Sequence, residues 1–204
     1  ARTGVFTGGA NAVYWMNIAE RSGETIKISN IVERAKRKVK AVTAEIEPVF
    51  VYPLVQGSDI SQWNVNTKSY ILCPHTAETK MYPVAENVLS AVAPKTLDYL
   101  AGFREDLDAR KGFAGWEKEI QAQHFYSILR IGEYTFSKYK VAWRYIAQSF
   151  ITAVITSAQD SFVGEKLYIP NEKIMYVGTD CKSEAYYLCG VLSSSPVSYC
   201  VKCY

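Results

Sequence analysis

The sequence lacks a long apolar segment, since no run of about 18 or more apolar residues, the length of a membrane-spanning helix, occurs in its 204 residues. It also lacks a disulfide framework, because its five cysteines are an odd number and four of them lie beyond residue 180. The Cys200-x-x-Cys203 pair has no second closely spaced pair to complete a zinc site, since seven residues separate Cys181 from Cys189. We therefore expect reduced, mostly buried thiols and no metal.

A large excess of one charge is missing as well. The chain has 23 basic and 20 acidic residues, and a net charge of +3 does not by itself indicate a nucleic-acid partner. Its 49% hydrophobic and 13% aromatic residues suffice for a substantial core, which excludes wholesale disorder. The first four residues contain neither an initiator Met nor a signal peptide. We interpret residues 1–204 as one domain cut from a longer cytoplasmic protein.

Signatures of catalysis are also absent. No Asn/Asp/Ser-Pro-Pro-aromatic turn, which amino-methylating enzymes use to hold their target, occurs; residues 194–197 have one proline and no aromatic. The glycines at 4–9 precede a strand-like segment rather than the helix of a βαβ cofactor site. His75 and Cys73 flank a proline, and His124 is the other histidine. We expect no catalytic residue and no cofactor-binding residue in this chain.

The apolar pattern predicts an α+β fold. Pro94 begins a long amphipathic helix that Gly112 ends, with Arg110 on its polar face, and Ser183 caps a C-terminal helix that runs to residue 192. Residues 39–46 suit a helix or a strand, and we favour a basic loop followed by a strand. Other strands are expected within residues 4–16, 25–31, 50–55, 69–73, 125–131, 139–146, 150–155, 167–169 and 174–177, with a loop at 112–123. The result is a twisted, mainly antiparallel sheet with one long helix and a C-terminal helix packed on it.

Five stretches occur in an order that one known family shares, and together they cover most of the chain. They are RTGVFTGGANAVYW at residues 2–15, IEP leading to YPLVQGSDISQW at 46–63, the segment from Tyr99 to Arg110, the segment from Tyr126 to Arg144, and EAYYLCGVLSS at 184–194. These stretches resemble the C-terminal specificity domain, of the TaqI-like kind, of adenine-N6 DNA methyltransferases, including fused restriction-modification enzymes. The family often has Leu-Asn-Ser where this chain has Leu192-Ser193-Ser194, so a contact made by that Asn is not carried over.

The resemblance implies a domain that recognises double-stranded DNA. A separate N-terminal methyltransferase domain of the same parent chain would bind S-adenosylmethionine and transfer the methyl group. The missing methyl-transfer turn agrees with this division of labour. An interaction module that binds protein or RNA without DNA specificity is the alternative, and an enzyme that uses His124 or Cys73 is a third reading.

Two basic segments are candidate phosphate contacts, which give affinity and register but no sequence information. In the first, residues 34–40, we select Lys36, Arg37 and Lys38; a solvated charged loop is the alternative. In the second, strand alternation would put Lys138, Lys140 and Arg144 on one face, above an aromatic face. We expect this basic ridge to line the DNA cleft, the alternative being an ordinary solvent face.

Three polar residues beside Gly57 are candidates for reading base edges. Gln56, Ser58 and Gln62 could offer amide and hydroxyl groups there, and a bidentate pair contributes roughly 1–3 kcal/mol of discrimination. The same side chains could equally cap the turn.

Overall fold

The structure, a computed structural model, describes residues 1–33, 37–111, 115–147 and 149–202, without the side chains of Trp116 and Lys202. Within these ranges the fold is α+β, as predicted, and no helix is long and apolar enough to cross a membrane. The strands are β1 (Arg2–Thr3), β2 (Trp15–Ser22), β3 (Thr25–Asn30), β4 (Thr43–Ile46), β5 (Val51–Val55), β6 (Ile60–Ser61), β7 (Asn64–Val65), β8 (Ser69–Leu72), β9 (Tyr139–Arg144), β10 (Thr152–Ile155), β11 (Ser157–Asp160), β12 (Gly164–Leu167), β13 (Ile169–Pro170) and β14 (Ile174–Thr179). The helices are α1 (Asn11–Tyr14), α2 (Glu86–Val92), α3 (Pro94–Ala101), α4 (Arg104–Asp108), α5 (Trp116–Gln123), α6 (Lys182–Leu192) and α7 (Ser195–Lys202). Short 3-10 turns cover Pro48–Phe50, Gly57–Asp59 and Glu133–Phe136.

A six-stranded sheet in the order β13-β5-β8-β2-β3-β4 covers the largest core. Its pairs are antiparallel except for β13 with β5. On β3 the side chains of Ile26 and Ile28 are buried and that of Lys27 is exposed, the period of two that predicts a half-buried strand. This alternation turns the apolar face of the sheet toward α3, whose Leu100 is also buried in that core.

A four-stranded antiparallel sheet in the order β1-β14-β9-β10 carries the C-terminal helix. Val141 of β9 packs with Ala185 and Cys189 of α6, which confirms the predicted packing of this helix on a sheet. On the other face of β9, Ala142 belongs to a second cluster together with Ile60. β9 is therefore an inner strand that is covered on both faces. β14, which contains the strand expected at residues 174–177, lies between β1 and β9.

The predicted long helix is divided into α3 and α4, which are separated by Gly102 and Phe103. Arg110, which was expected on the polar, exposed face of this helix, is buried instead. The Arg110 guanidinium donates hydrogen bonds to the carbonyls of Thr7, Phe125 and Ser127, at 3.1, 2.6 and 2.7 Å. Buried carbonyls require donors, and the helical pattern is interrupted where Arg110 turns inward to supply them.

Three further segments differ from prediction. The strand expected within residues 4–16 is replaced after the glycines by helix α1, and β2 begins only at Trp15. The expected loop contains helix α5, and the expected strand at residues 125–131 forms only an isolated bridge between Phe6 and Leu129. The apolar side chains of this segment are nonetheless buried. The amide of Ile128 donates to Nε2 of His75 at 3.1 Å rather than to a neighbouring strand. An apolar run therefore identified a core segment but not its backbone conformation.

Candidate nucleic-acid interface

A cleft of about 320 Å³ opens between three segments that are distant in sequence. They are the N-terminal glycine turn, the 3-10 turn after β5, and the residues between β13 and β14. The lining includes the polar residues Asn11, Gln56, Ser58, Asn171 and Lys173. Three of these are amides, which can donate and accept hydrogen bonds at once.

The glycine turn forms one wall of the cleft, and its backbone conformation requires glycine. Gly8 and Gly9 have φ values of +69° and +84°, in the left-handed region that other residues rarely adopt. The buried Thr7 that precedes them donates its hydroxyl hydrogen to Oδ1 of Asn11. That hydrogen bond fixes the orientation of the Asn11 amide at the cleft.

The opposite wall is held against the chain start by close backbone contact. A Cβ on Gly4 would lie 2.1 Å from the carbonyl oxygen of Asn171, so only glycine permits this approach. Asn171 is buried, its N–H donates to the carbonyl of Val55 at 3.0 Å, and its Oδ1 accepts from the N–H of Lys173 at 3.1 Å. Both walls are thus fixed by hydrogen bonds before any ligand binds.

Two polar atoms of the cleft have no hydrogen-bond partner in the described part of the chain. They are Nε1 of Trp15, a donor, and Oε2 of Glu172, an acceptor, and both atoms are buried from solvent. An unpaired buried polar group costs about 1–3 kcal/mol. Both atoms belong to residues that line the cleft, but the atoms themselves are shielded from solvent.

The predicted base-edge residues Gln56, Ser58 and Gln62 are divided between two places. The Gln56 N–H donates to Oδ2 of Asp59 at 2.8 Å and its side-chain amide donates to Oγ of Ser69 at 3.0 Å. The exposed Ser58 hydroxyl donates to Oδ1 of Asp59 at 3.2 Å. Gln56 and Ser58 therefore line the cleft while also forming the turn, and Gln62 is exposed on the β6–β7 hairpin. Burial raises the pKa of Asp59, and its hydrogen bond to the Gln56 N–H opposes that shift.

Arg144 lies beside the cleft, close to Gly57. Its Cγ is 4.0 Å from the position that a Cβ on Gly57 would occupy. Its Nη2 donates to the carbonyl of Ile60 at 2.7 Å, and its Nε is buried without a partner in the described ranges. A second cation, Arg130, stands 5.0 Å above the ring of Phe6, which lines the cleft.

The predicted basic ridge is not present, because Lys140 is completely buried. β9 is covered on both faces, so its polar face points into the protein. The Lys140 ammonium donates to the carbonyl of Ser137 at 3.0 Å. Burial lowers the pKa of Lys140 to about 7, and the carboxylate of Asp180 opposes that shift. Lys138 is exposed and its N–H donates to Asp180 at 2.8 Å, so Lys138 and Arg144 flank the buried lysine without forming a common surface with it.

The basic segment is described only in part. Lys36 lies outside the described residues, and Lys38 is exposed. The Arg37 guanidinium donates to the carbonyls of Asp106, at 3.0 Å, and Ala109, at the end of α4. Arg37 therefore attaches this segment to α4.

Cys73 and His75 are both buried and uncharged. Burial raises the pKa of Cys73 to about 12 and lowers that of His75 to about 4, so both are neutral at neutral pH. Both imidazole nitrogens of His75 are engaged by backbone groups. Over residues 1–33, 37–111, 115–147 and 149–202, no group of three or more His, Cys, Asp or Glu could hold a metal ion.

Sequence reasoning missed several residues of this region. Asn11 follows a threonine and two glycines, and Lys173 follows Asn171 after β13, so a search for polar residues in turns would have selected both. Trp63 and Ile146 are exposed apolar residues. The only local indication of a functional role was that an aromatic and an aliphatic side chain occur in turns.

The chain is similar to a protein named Type II methyltransferase M.NspV, from Nostoc sp.. The two are 30% identical over 132 residues, which is 62% of this chain and 26% of that protein. No protein-family model matches the chain. The matched region thus spans about a quarter of its methyltransferase relative, and this similarity relates the chain to methyltransferases.

Proposed function

We propose that this chain is the DNA-recognition domain of an adenine-N6 DNA methyltransferase of a cytoplasmic restriction-modification system. The similarity to part of a type II methyltransferase supports this function, as does the absence from the sequence of a methyl-transfer turn. Double-stranded DNA is the proposed partner. A separate N-terminal domain of the parent chain would bind S-adenosylmethionine and perform the transfer.

The observation that carries the proposal is the cleft lined by the amides of Asn11, Gln56 and Asn171. Base edges present donor and acceptor patterns, and Asn or Gln amides pair with adenine in both roles. In this function Asn11 and Gln56 face base edges.

Cations around the cleft would supply the phosphate contacts. Lys173 is exposed on the cleft wall, and Arg130 lies at the rim over Phe6. The predicted contacts Lys38 and Lys138 are exposed and retain this proposed role. Arg37 would instead position the basic segment against α4, since its guanidinium is already engaged by two carbonyls.

The surroundings of the glycine turn differ from those of a nucleotide-cofactor loop. The glycine turn at residues 8–9 leads into the four-residue helix α1 and then into β2, so no strand–turn–helix unit for a nucleotide cofactor is formed. The domain would act by holding the duplex in register while the catalytic domain extracts its adenine, a step that costs a few kcal/mol.

A salt titration of the intact chain with random-sequence duplex DNA, followed by fluorescence anisotropy, tests this function. We expect log K to fall linearly with log salt, with a slope of about 0.9 per phosphate contact. Lys173→Glu should weaken binding and reduce that slope by about one contact. The matched control is Lys27→Glu, a surface lysine that pairs with Glu20 at the end of β2 away from the cleft.

The opposite result is also informative. If the folded protein shows no binding at low salt, the DNA-recognition function is wrong. A protein-interaction module is the second candidate in that case, and the exposed rings of Tyr187 and Tyr199 on α6 and α7 favour it.

A further inference from the structure

The β6–β7 hairpin holds a tryptophan in a conformation that suits glycine. Ser61 pairs with Asn64, so Gln62 and Trp63 alone form the turn. Trp63 has φ +66°, in the left-handed region where a bulky aromatic residue is an outlier. Glycine or asparagine is the usual residue in such a position. A strained residue of this kind persists only where the surrounding structure enforces it, and such residues cluster at functional sites.

The tryptophan ring nevertheless contributes little to the core, because 59% of Trp63 is exposed. The Trp63 N–H donates to the carbonyl of Thr152 at 3.2 Å, which holds the turn against β10. The backbone is thus anchored while the ring faces solvent. Packing therefore does not explain why tryptophan occupies this turn.

A second loop presents apolar side chains at the same end of the four-stranded sheet. It joins β9 to β10, and Ile146 is 86% exposed and Tyr145 61% exposed. The Arg144 guanidinium bonds to the carbonyl of Ile60, so this loop is tied to the hairpin. The Tyr145 N–H donates to the carbonyl of Lys173 at 2.8 Å, which connects the loop to the cleft wall.

The charge of these two loops fits a polyanion. Neither residues 60–68 nor residues 144–151 contain an acidic residue, whereas Lys68 and Arg144 are basic. The carboxylate nearest in sequence, that of Asp59, accepts hydrogen bonds from the Gln56 N–H and the Ser58 hydroxyl. Proteins that bind the minor groove combine Arg and Lys contacts with apolar side chains that they insert between base steps.

We propose that Trp63 is a DNA-contacting wedge, which stacks on a base or inserts at a base step while the loop of Tyr145 and Ile146 supports the same contact. This role rests on the proposed function and names the side chain through which the domain would distort the duplex. Every base has a face for stacking, so the contact does not depend on sequence. It would lower the cost of extracting a neighbouring base.

The test compares Trp63→Gly and Trp63→Phe with the wild-type chain, using random-sequence duplex DNA. Trp63→Gly should bind DNA roughly fivefold to more than a hundredfold more weakly, the loss expected when a stacking aromatic is removed. Its urea midpoint should not fall, because glycine accepts the turn conformation. Trp63→Phe should keep most of the affinity, since an aromatic ring remains.

Tryptophan emission gives a second readout that does not depend on the glycine variant. DNA should quench the emission of the exposed Trp63 in the wild-type chain, and Trp63→Phe, which still binds, should show clearly less quenching than the wild type. Tyr82→Gly is the matched control, because it removes an exposed ring that follows β8 at the end away from the hairpin. We expect this variant to bind DNA as the wild type does.

The outcomes separate the two proposals. The wedge would be overturned if Trp63→Gly bound DNA as tightly as the wild type and if DNA quenched the emission of Trp63→Phe as much as that of the wild type. The DNA-recognition function would remain intact in that case. If the wild-type chain does not bind duplex DNA at low salt, both proposals are wrong.

Discussion

The buried imidazole of His75 makes a specific acid sensitivity predictable. The Ile128 N–H donates to Nε2 at 3.1 Å, so Nε2 must carry the lone pair and Nδ1 the hydrogen, which is donated to the carbonyl of Lys80 at 3.0 Å. Protonation would place a hydrogen on Nε2 opposite the Ile128 N–H. Burial accordingly lowers the pKa of His75 from 6.5 to about 4.

The sign and size of the effect follow from proton linkage. Between pH 6.5 and about 4 the unfolded chain binds a proton that the folded chain does not, so the free energy of unfolding falls as the pH falls. At 1.36 kcal/mol per pH unit, the loss is about 2 kcal/mol by pH 5 and about 3 kcal/mol by pH 4.

Urea unfolding at pH 7 and pH 5 measures this loss. His75→Gln should be less stable at pH 7, because buried backbone groups lose a partner, yet its further loss between pH 7 and pH 5 should be smaller than that of the wild type by about 2 kcal/mol. His124→Gln, which removes the other histidine, should retain the wild-type drop. An equal drop in the wild type and in His75→Gln would refute the assignment of a neutral, doubly bonded imidazole.

Two further predictions concern buried cations. Lys140→Met should raise the urea midpoint at pH 7, because it removes a desolvated ammonium. Between pH 7 and 10.5 the unfolded wild-type chain keeps the Lys140 proton that the folded chain has lost, so the free energy of unfolding of the wild type should rise with pH. The variant should not show this rise. A midpoint that falls in Lys140→Met would contradict this. Arg110→Met should lower the free energy of unfolding by roughly 3–5 kcal/mol, because buried carbonyls of Thr7, Phe125 and Ser127 lose their donor. A loss below about 1 kcal/mol by urea unfolding would show that those carbonyls find other partners.

Local sequence patterns correctly predicted those helices and strands whose conformation depends on the spacing of their own apolar residues. The alternation of Ile26 and Ile28 predicted a strand at residues 25–31, and β3 covers Thr25–Asn30. The helix expected from Ser183 to residue 192 is α6, Lys182–Leu192. In both cases one apolar face meets one partner, so the period of the side chains contains the required information.

The helix from Pro94 shows where local reasoning fails. Its apolar residues continue at helical spacing through Leu107, although α3 ends before Gly102 and α4 begins at Arg104. Beyond α4, Arg110 turns inward to meet a long-range requirement, the carbonyl of Thr7 more than a hundred residues away. Such a requirement is invisible in any short window of sequence.

The error at β9 is of a different kind. Strand periodicity correctly placed Lys140 and Ala142 on one face, but solvent exposure of that face was an added assumption. Exposure depends on whether a strand lies at the edge or the interior of a sheet and on what covers it, and β9 lies between β14 and β10 beneath α6. A basic residue on a predicted strand is therefore weak evidence for a surface until its neighbours are known.

Each wall of the cleft contains a turn that the local sequence indicates, but the local sequence does not indicate that the walls lie next to each other. Gly8 and Gly9 mark a turn, Gln56 and Ser58 flank another, and Asn171 begins a third. What brings them together is Gly4, whose missing Cβ lets the chain start lie directly on the backbone before β14. A glycine that the sequence suggested only as part of a turn is thus the residue that closes the site.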